Sequence, residues 1–356
     1  NQQWKDAGME DAKAKPVLKI KVEAVKTEDD TSEVETAAVK LPANVLKAAS
    51  EKKIEKVSID TPVAKIDIAP DAIETGENDE VDISAGKVKN EELADKVKAQ
   101  VGDSPVYNFD LKVNNTKVSK FKKPVEVSVP YTPKAGENTK KITVFYINDD
   151  GELENVTGSY DEDSGTVVFK TNHFSQYVVK VNDVTFDDIS SYGWAQEYIE
   201  VMASKGIVNG TGQGMYKPGN NVTRAEFAAM VVRALKLTDE EAPAAFSDVE
   251  ADKWYYDSVN SAAQLGIVSG KPDGTYAPNE NITRQDMAVI VANALKAAKE
   301  KQMKANAASN IEKFSDKDNV SSYAAGSIGM NMRFSILNGR ADGNFAPLDN
   351  ANRAEA

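Results

Sequence analysis

The chain has 356 residues, enough for two or three folded units at roughly 150 residues each. Its 43 Lys and Arg against 56 Asp and Glu give a formal charge of −13, which excludes the basic footprint of an unassisted nucleic-acid binder. With no cysteine and one histidine, His173, the chain cannot form disulfides, thiolate zinc sites, iron–sulfur clusters or a His-rich metal site, and no cofactor or metal is expected. A cysteine-free composition fits the cytosol and an exported protein equally well. No apolar stretch approaches the roughly 20 residues of a membrane span, and no secretory signal segment opens the chain. Asn1 and Ala356 both read as cuts in something longer, with residues 1–16 a linker or the tail of a preceding region.

Residues 17–182 read as a β-rich α+β domain, sandwich-like, with short helices. Val17–Val22 alternates at period two, as a half-buried strand does. Pro42–Lys53 carries Val45, Leu46 and Ala49 at helical spacing. Strand-like runs follow at Val57–Asp60, Val63–Ile68 and Val81–Ser84, then a charged helix at Asn90–Val101 closed by Gly102. Further strands are expected at Val106–Val113, Val125–Val129, Ile142–Ile147, Thr166–Phe169 and Tyr177–Val179. Asp150-Gly151 and Ser164-Gly165 mark tight hairpin turns. The acidic groups Asp149-Asp150 and Asp161-Glu162-Asp163 lack the spacing of a calcium loop and read as solvated turns.

From Asp183 onward the grammar changes to helix, turn-rich loop, helix, repeated at a period of 60 residues and then 68 to 69. Phe186-Asp187-Asp188-Ile189 returns as Phe246-Ser247-Asp248-Val249 and as Phe314-Ser315-Asp316. Trp194 returns as Trp254, with Tyr323 at the third position. Gly206-Ile207-Val208-Asn209-Gly210 returns as Gly266-Ile267-Val268-Ser269-Gly270, and Tyr216-Lys217-Pro218 as Tyr276-Ala277-Pro278 and Phe345-Ala346-Pro347. Thr223-Arg224-Ala225-Glu226 matches Thr283-Arg284-Gln285-Asp286 and Asn352-Arg353-Ala354-Glu355. The repeats span 183–242, 243–310 and 311–356, the last ending before its second helix is complete. Gly206 and Gly266 stand where a left-handed helix cap belongs, and Ser335 in the third copy weakens that cap by roughly 1 kcal/mol. The second helix starts on a capping box. Its expected core stripe is Phe227, Met230, Val231, Ala234 and Leu235, matched by Met287, Ile290, Val291, Ala294 and Leu295. The charge is not segregated: 26 basic and 33 acidic residues precede Asp183, and 17 and 23 lie from Asp183 onward.

These motifs resemble the S-layer homology family over about Asp183–Ala356. The resemblance implies three helical modules around a pseudo-threefold axis, in an exported protein at the cell surface. It implies a non-catalytic role: anchoring to secondary cell-wall polysaccharide, often through pyruvylated sugars. The preceding region, especially Val106–Val181, is similar to β-rich domains beside such modules in Gram-positive surface proteins. A lattice-forming subunit of the surface layer, with self-association through the β-rich half, is the alternative.

The repeated arginines suggest how an anion is held. A cation at the first helical position opposes the helix dipole, yet Arg224, Arg284 and Arg353 all stand there. Free backbone N–H groups and a planar guanidinium together suit a carboxylate or phosphate. The alternative is structural pairing with Asp188, Asp248 and Asp316. Trp194, Trp254 and Tyr323 are sugar-stacking platforms or helix packing. Asn209, Ser269 and Asn338 donate to hydroxyls or stabilise a turn, and the three aspartates read more readily as turn residues than as ligands, though all stay in the candidate set. Gly210-Thr211-Gly212-Gln213-Gly214 lacks dinucleotide spacing. His173-Phe174-Ser175 is similar to the element of self-cleaving domains that split before the serine, a minor enzymatic alternative resting on three residues.

Overall fold

The computed structural model describes residues 16–23, 35–239, 241–299 and 311–356, in two compact units. Among the described residues, those from 16 to 185 form a β-rich unit together with 200–206, and 186–199 with those from 207 to 356 form a helical one. The expected tail at 1–16 lies outside the described residues apart from Pro16.

In chain order the β-rich unit contains β1 (Val17–Lys21), β2 (Thr36–Pro42), α1 (Ala43–Glu51), β3 (Lys56–Asp60), β4 (Lys65–Ile68), β5 (Glu80–Val88), α2 (Asp95–Val101) and β6 (Val106–Val113). There follow β7 (Thr116–Lys117), β8 (Val125–Pro130), β9 (Ile142–Ile147), β10 (Leu153–Asn155), β11 (Gly158–Asp161), β12 (Thr166–Thr171) and β13 (Gln176–Val181). One sheet runs β1-β3-β4-β8-β12-β11 and the other β10-β9-β13-β6-β5-β2, with β7 on β6. The β1–β3 pair is parallel and the others antiparallel. Alternation sends Val57, Ile59, Ile66, Ile68, Val127 and Phe169 of the first sheet against Ile83, Phe109, Leu111, Val144 and Tyr177 of the second in one apolar core. Val178, one residue out of phase, faces the other way and joins Val106 and Ile147 under α2 in a satellite cluster. The sandwich expected from the sequence is the observed architecture.

Both expected hairpin turns form, with Gly151 and Gly165 at φ 71° and 64°. The acidic residues beside them serve the turns: Asp161 accepts from Asp163 N–H (3.1 Å) and from the Ser164 hydroxyl (2.8 Å). The charged helix is shorter than expected, a 3-10 turn at Asn90–Glu92 followed by α2. One buried cation stands out. Lys205 donates to the carbonyls of Ile142 and of Gly158 (2.6 Å), and burial pushes its ammonium down to about 8.

The helical unit contains α3 (Gly193–Ser204, whose last turn belongs with the β-rich unit), α4 (Arg224–Leu235), α5 (Tyr256–Gln264), α6 (Arg284–Lys299) and α7 (Ala325–Arg333). No described helix is long and apolar enough to cross a membrane. A closed ring of backbone hydrogen bonds ties the repeats together. Val222 donates to Ala351 (3.0 Å), Ala351 to Ile282 (2.9 Å) and Ile282 to Val222 (2.9 Å), and all three side chains are fully buried. That cyclic exchange is a pseudo-threefold axis written in main-chain atoms.

Helix α4 packs against α5 and α6, and α6 against α7. This crowding corrects the expected core stripe. Phe227 and Met230 are buried as expected, but Ala234 is exposed and Val231 and Leu235 are only half-buried. Ala225, Ala228, Ala229 and Val232 are buried instead, because a helix packed on two sides needs small residues for close approach. The same holds in α6, where Ala288 and Ala292 join Met287, Ile290 and Ala294.

Each repeat carries the same loop. A ring pair packs with centroids 5.3 Å apart (Phe186–Tyr216), 5.1 Å (Phe246–Tyr276) and 5.5 Å (Phe314–Phe345). The first ring lies so close to the loop glycine that a Cβ on Gly210 or Gly270 would fall 2.7 or 2.6 Å from it. The position after the second ring is left-handed without glycine, at φ 58°, 56° and 56° for Lys217, Ala277 and Ala346. That strain is held in place by the Asp188, Asp248 and Asp316 carboxylates described next. Ser335 adopts φ 55° where Gly206 and Gly266 stand, as the weakened cap requires.

Candidate functional site

The aspartates form main-chain clasps. Asp188 accepts from the N–H groups of Tyr216 (2.9 Å) and Lys217 (2.7 Å). Asp248 does the same for Tyr276 and Ala277 (2.7 and 2.8 Å), and Asp316 for Phe345 and Ala346 (2.9 and 2.8 Å). These bonds hold the Asp188 carboxyl below its usual range despite the opposing effect of desolvation. No ion pair joins these aspartates to the repeated arginines among the described residues, so the expected structural alternative takes another form.

The arginines are clasps between repeats. Arg224 donates from Nε to Tyr276 O (2.9 Å) and from Nη2 to Ser269 O (3.3 Å), with its guanidinium 4.7 Å from the Tyr276 ring centre. Arg284 makes the corresponding bonds to Phe345 O (2.9 Å) and Asn338 O (3.1 Å), 5.2 Å from the Phe345 ring. Arg353 closes the cycle on Tyr216 O (2.8 Å) and Asn209 O (2.7 Å), 4.4 Å from the Tyr216 ring. Asn209, Ser269 and Asn338 thus meet the arginines through their carbonyls. In return, the Tyr216 and Tyr276 hydroxyls donate to the carbonyls of Arg353 (3.1 Å) and Arg224 (3.0 Å).

The backbone N–H groups expected to be free for an anion are occupied. Arg224 N–H goes to Glu280 O, Ala225 N–H to Pro278 O and Glu226 N–H to the Thr223 hydroxyl. The second and third repeats repeat the pattern at Arg284, Gln285, Arg353 and Ala354. Neighbouring chain has taken the role that the sequence left to a ligand. The capping box at Thr223–Glu226 forms in full. Asp286, one methylene shorter than Glu226, instead accepts the Thr283 hydroxyl (2.8 Å).

What faces solvent is aromatic. Trp194, Trp254 and Tyr323 are 62, 60 and 59% exposed, at the same position of each repeat. The Arg233 guanidinium lies 5.8 Å from the Trp254 ring centre, and the Tyr323 hydroxyl donates to Asp286 (2.7 Å). Asp286 in turn stands 3.9 Å from Arg224, so residues of all three repeats converge there. Arg233 and Asp286 were not candidates from sequence. The sequence marks Asp286 only as the residue three after the helix-capping Thr283, and nothing in that spacing shows that it also reaches Tyr323 and Arg224.

The enzymatic alternative centres on a well-packed segment. Phe174 is buried between Phe109 (5.6 Å) and Phe121 (5.0 Å), and the His173 ring meets the edge of Tyr146 at 4.6 Å. Burial lowers the His173 imidazole below its usual range. The Ser175 carbonyl accepts Phe109 N–H at 2.9 Å, and no hydrogen bond joins His173 to Ser175 among the described residues. Nor do those residues contain a group of three acidic or histidine side chains arranged to hold a metal.

Residues 185–228, 245–288 and 313–356 each match the family model of the S-layer homology domain. The C-terminal part is a tandem of three S-layer homology domains. The residues before 185 lie outside that match. Among curated proteins, an amylopullulanase of Thermoanaerobacterium thermosulfurigenes is 39% identical over 239 residues, 66% of this chain and 12% of its own length. The exoglucanase XynX of Acetivibrio thermocellus is 37% identical over 177 residues, 49% of this chain and 16% of its own. The surface-layer 125 kDa protein of Lysinibacillus sphaericus is 31% identical over 145 residues, 41% of this chain and 11% of its own. The chain therefore spans less than a fifth of these relatives. The amylopullulanase match, at 239 residues, is longer than the S-layer homology tandem and so includes part of the β-rich unit.

Proposed function

We propose that this chain is the anchoring part of an exported bacterial surface protein, held at the cell surface by binding anionic, pyruvylated secondary cell-wall polysaccharide. The exposed aromatics Trp194, Trp254 and Tyr323 supply stacking faces for pyranose rings, and guanidinium groups of the same ring of repeats supply the positive charge. One observation carries this reading. Where Tyr216, Tyr276 and Phe345 are buried, three equivalent aromatic residues stay about three-fifths exposed. Because the chain is net negative, attraction is local, and affinity comes from several repeats engaging one strand. The chain is read as non-catalytic, since its likeness to glycosidases covers the anchor and at most part of its β-rich neighbour, and only 12 to 16% of those enzymes. The lattice-forming alternative draws on the surface-layer relative.

The test is co-sedimentation of the chain with purified cell wall before and after chemical removal of pyruvyl groups. Binding to native wall and at least a tenfold loss on the stripped wall is expected. Equal binding to both would remove the anion from recognition.

A further inference from the structure

Asn-Gly occurs twice in the 356 residues, at Asn209-Gly210 and Asn338-Gly339, and both pairs fall at the same loop position of their repeats. The middle repeat has Ser269-Gly270 there. Asn209 and Asn338 are exposed, and neither carboxamide makes a hydrogen bond among the described residues. Their main-chain carbonyls are gripped by Arg353 and Arg284, while the N–H groups of Gly210 and Gly339 have no acceptor among those residues.

An idle carboxamide followed by glycine has a reaction of its own. Once the glycine N–H has given its proton to hydroxide, the nitrogen attacks the asparagine Cγ, and glycine, lacking a Cβ, lets it approach. An N–C bond closes a cyclic imide, the carboxamide C–N bond breaks, and ammonia leaves with a proton taken from water. Water then opens the imide at either carbonyl, leaving aspartate or isoaspartate. The negative charge of the deprotonated peptide is carried largely on its carbonyl oxygen, so a cation fixed at that oxygen stabilises it as an oxyanion hole does. In this ring that oxygen is the one an arginine holds. Arg353 Nη2 stands 2.7 Å from Asn209 O, and Arg284 Nη2 stands 3.1 Å from Asn338 O. The two cations are not equivalent. Arg284 is paired with the Glu355 carboxylate at 2.6 Å, whereas no carboxylate lies within ion-pair distance of Arg353 among the described residues.

We propose that Asn209 and, more slowly, Asn338 are self-modifying sites, at which the arginine clasp from another repeat promotes loss of the carboxamide as ammonia. The product sets a carboxylate beside the guanidinium. Isoaspartate also reroutes the main chain through the side chain, displacing the carbonyl that the arginine holds and loosening the clasp. Ser269 keeps the Arg224 clasp outside this chemistry. The inference goes beyond the anchoring function and does not depend on it.

Peptide mapping by mass spectrometry tests this, on the full chain incubated at about pH 9 and on the same chain unfolded in urea. A gain of one mass unit is expected at Asn209 first and at Asn338 second. Asn209 in the folded chain should react about fivefold faster than in the unfolded chain, where the two sites should react alike. Arg353→Gln removes the cation from the Asn209 carbonyl and should bring that site to or below its unfolded rate, with the Asn338 rate unmoved. A liability of the dipeptide alone would not respond to that substitution. A thermal melt accompanies the variant, and if it does not fold, the comparison of folded with unfolded parent decides. A folded parent whose Asn209 reacts no faster than in urea, or a folded Arg353→Gln that keeps the parent rate, overturns the assignment.

Discussion

The β-rich unit and the ring of repeats solve the same problem in opposite ways. The first buries its aromatics: Tyr107, Phe109, Phe121, Phe169, Phe174 and Tyr177 all lie in one core between two sheets. The second is held by alanine-rich helices, main-chain exchanges around an axis, and arginines laid on the rings of the next repeat. Direct polar clasps spare the ring from spending all its aromatics on cohesion. A domain that needs none of its large side chains at the surface is organised as a scaffold, and one that leaves three equivalent ones outside is organised to touch something.

The sharpest way to break this contrast is to cut into the sandwich. Phe109 meets Phe169, Phe174 and Tyr177 within 6.3 Å, so Phe109→Ala should cost about 3–5 kcal/mol in denaturant unfolding. A loss below 1 kcal/mol would mean that the aromatic core is not what holds this unit. A second probe is Lys205, the buried cation among carbonyls. Its folded value of about 8 lies below that of an unfolded lysine, so the unfolded chain holds the proton more tightly in between. Stability should therefore rise with pH above about 8, by on the order of 3 kcal/mol before unfolded lysine itself titrates. Lys205→Met should flatten that rise in melts taken from pH 7 to 10, and an unchanged slope would assign it to other groups. A smaller effect sharpens the account of the ring. In Gly270→Ala the new Cβ meets Phe246 at 2.6 Å and Thr275 O at 2.8 Å, which should cost about 1–3 kcal/mol.

Strands rich in branched residues were readable because alternation and burial coincide, as at Val125–Val129 and Val106–Val113. Strand β2 was not: its inward positions are Ala37, Val39 and Leu41, and Ala37 gives no contrast with the outward Ala38 beside it. Strands β10 and β11, three and four residues long, are too short to show a period. The repeat and its capping boxes were legible because they are written in side chains. The clasp acceptors were not, since a carbonyl is present at every position and nothing in Asn209, Ser269 or Asn338 marks theirs. For the same reason the helix-start N–H groups looked free, although Glu280, Pro278 and their counterparts cover them. Exposure of Trp194 and Trp254 was open from sequence, because a Trp near an amphipathic helix suits a core and a sugar alike.

The central claim is that the exposed aromatic row, and not the fold of the ring, carries recognition. Replacing Trp194, Trp254 and Tyr323 together with alanine isolates it. Each side chain is more than half exposed, so the melting temperature should move by only a few degrees. Co-sedimentation with native cell wall should fall at least tenfold. A folded triple variant that still sediments like the parent would contradict the account.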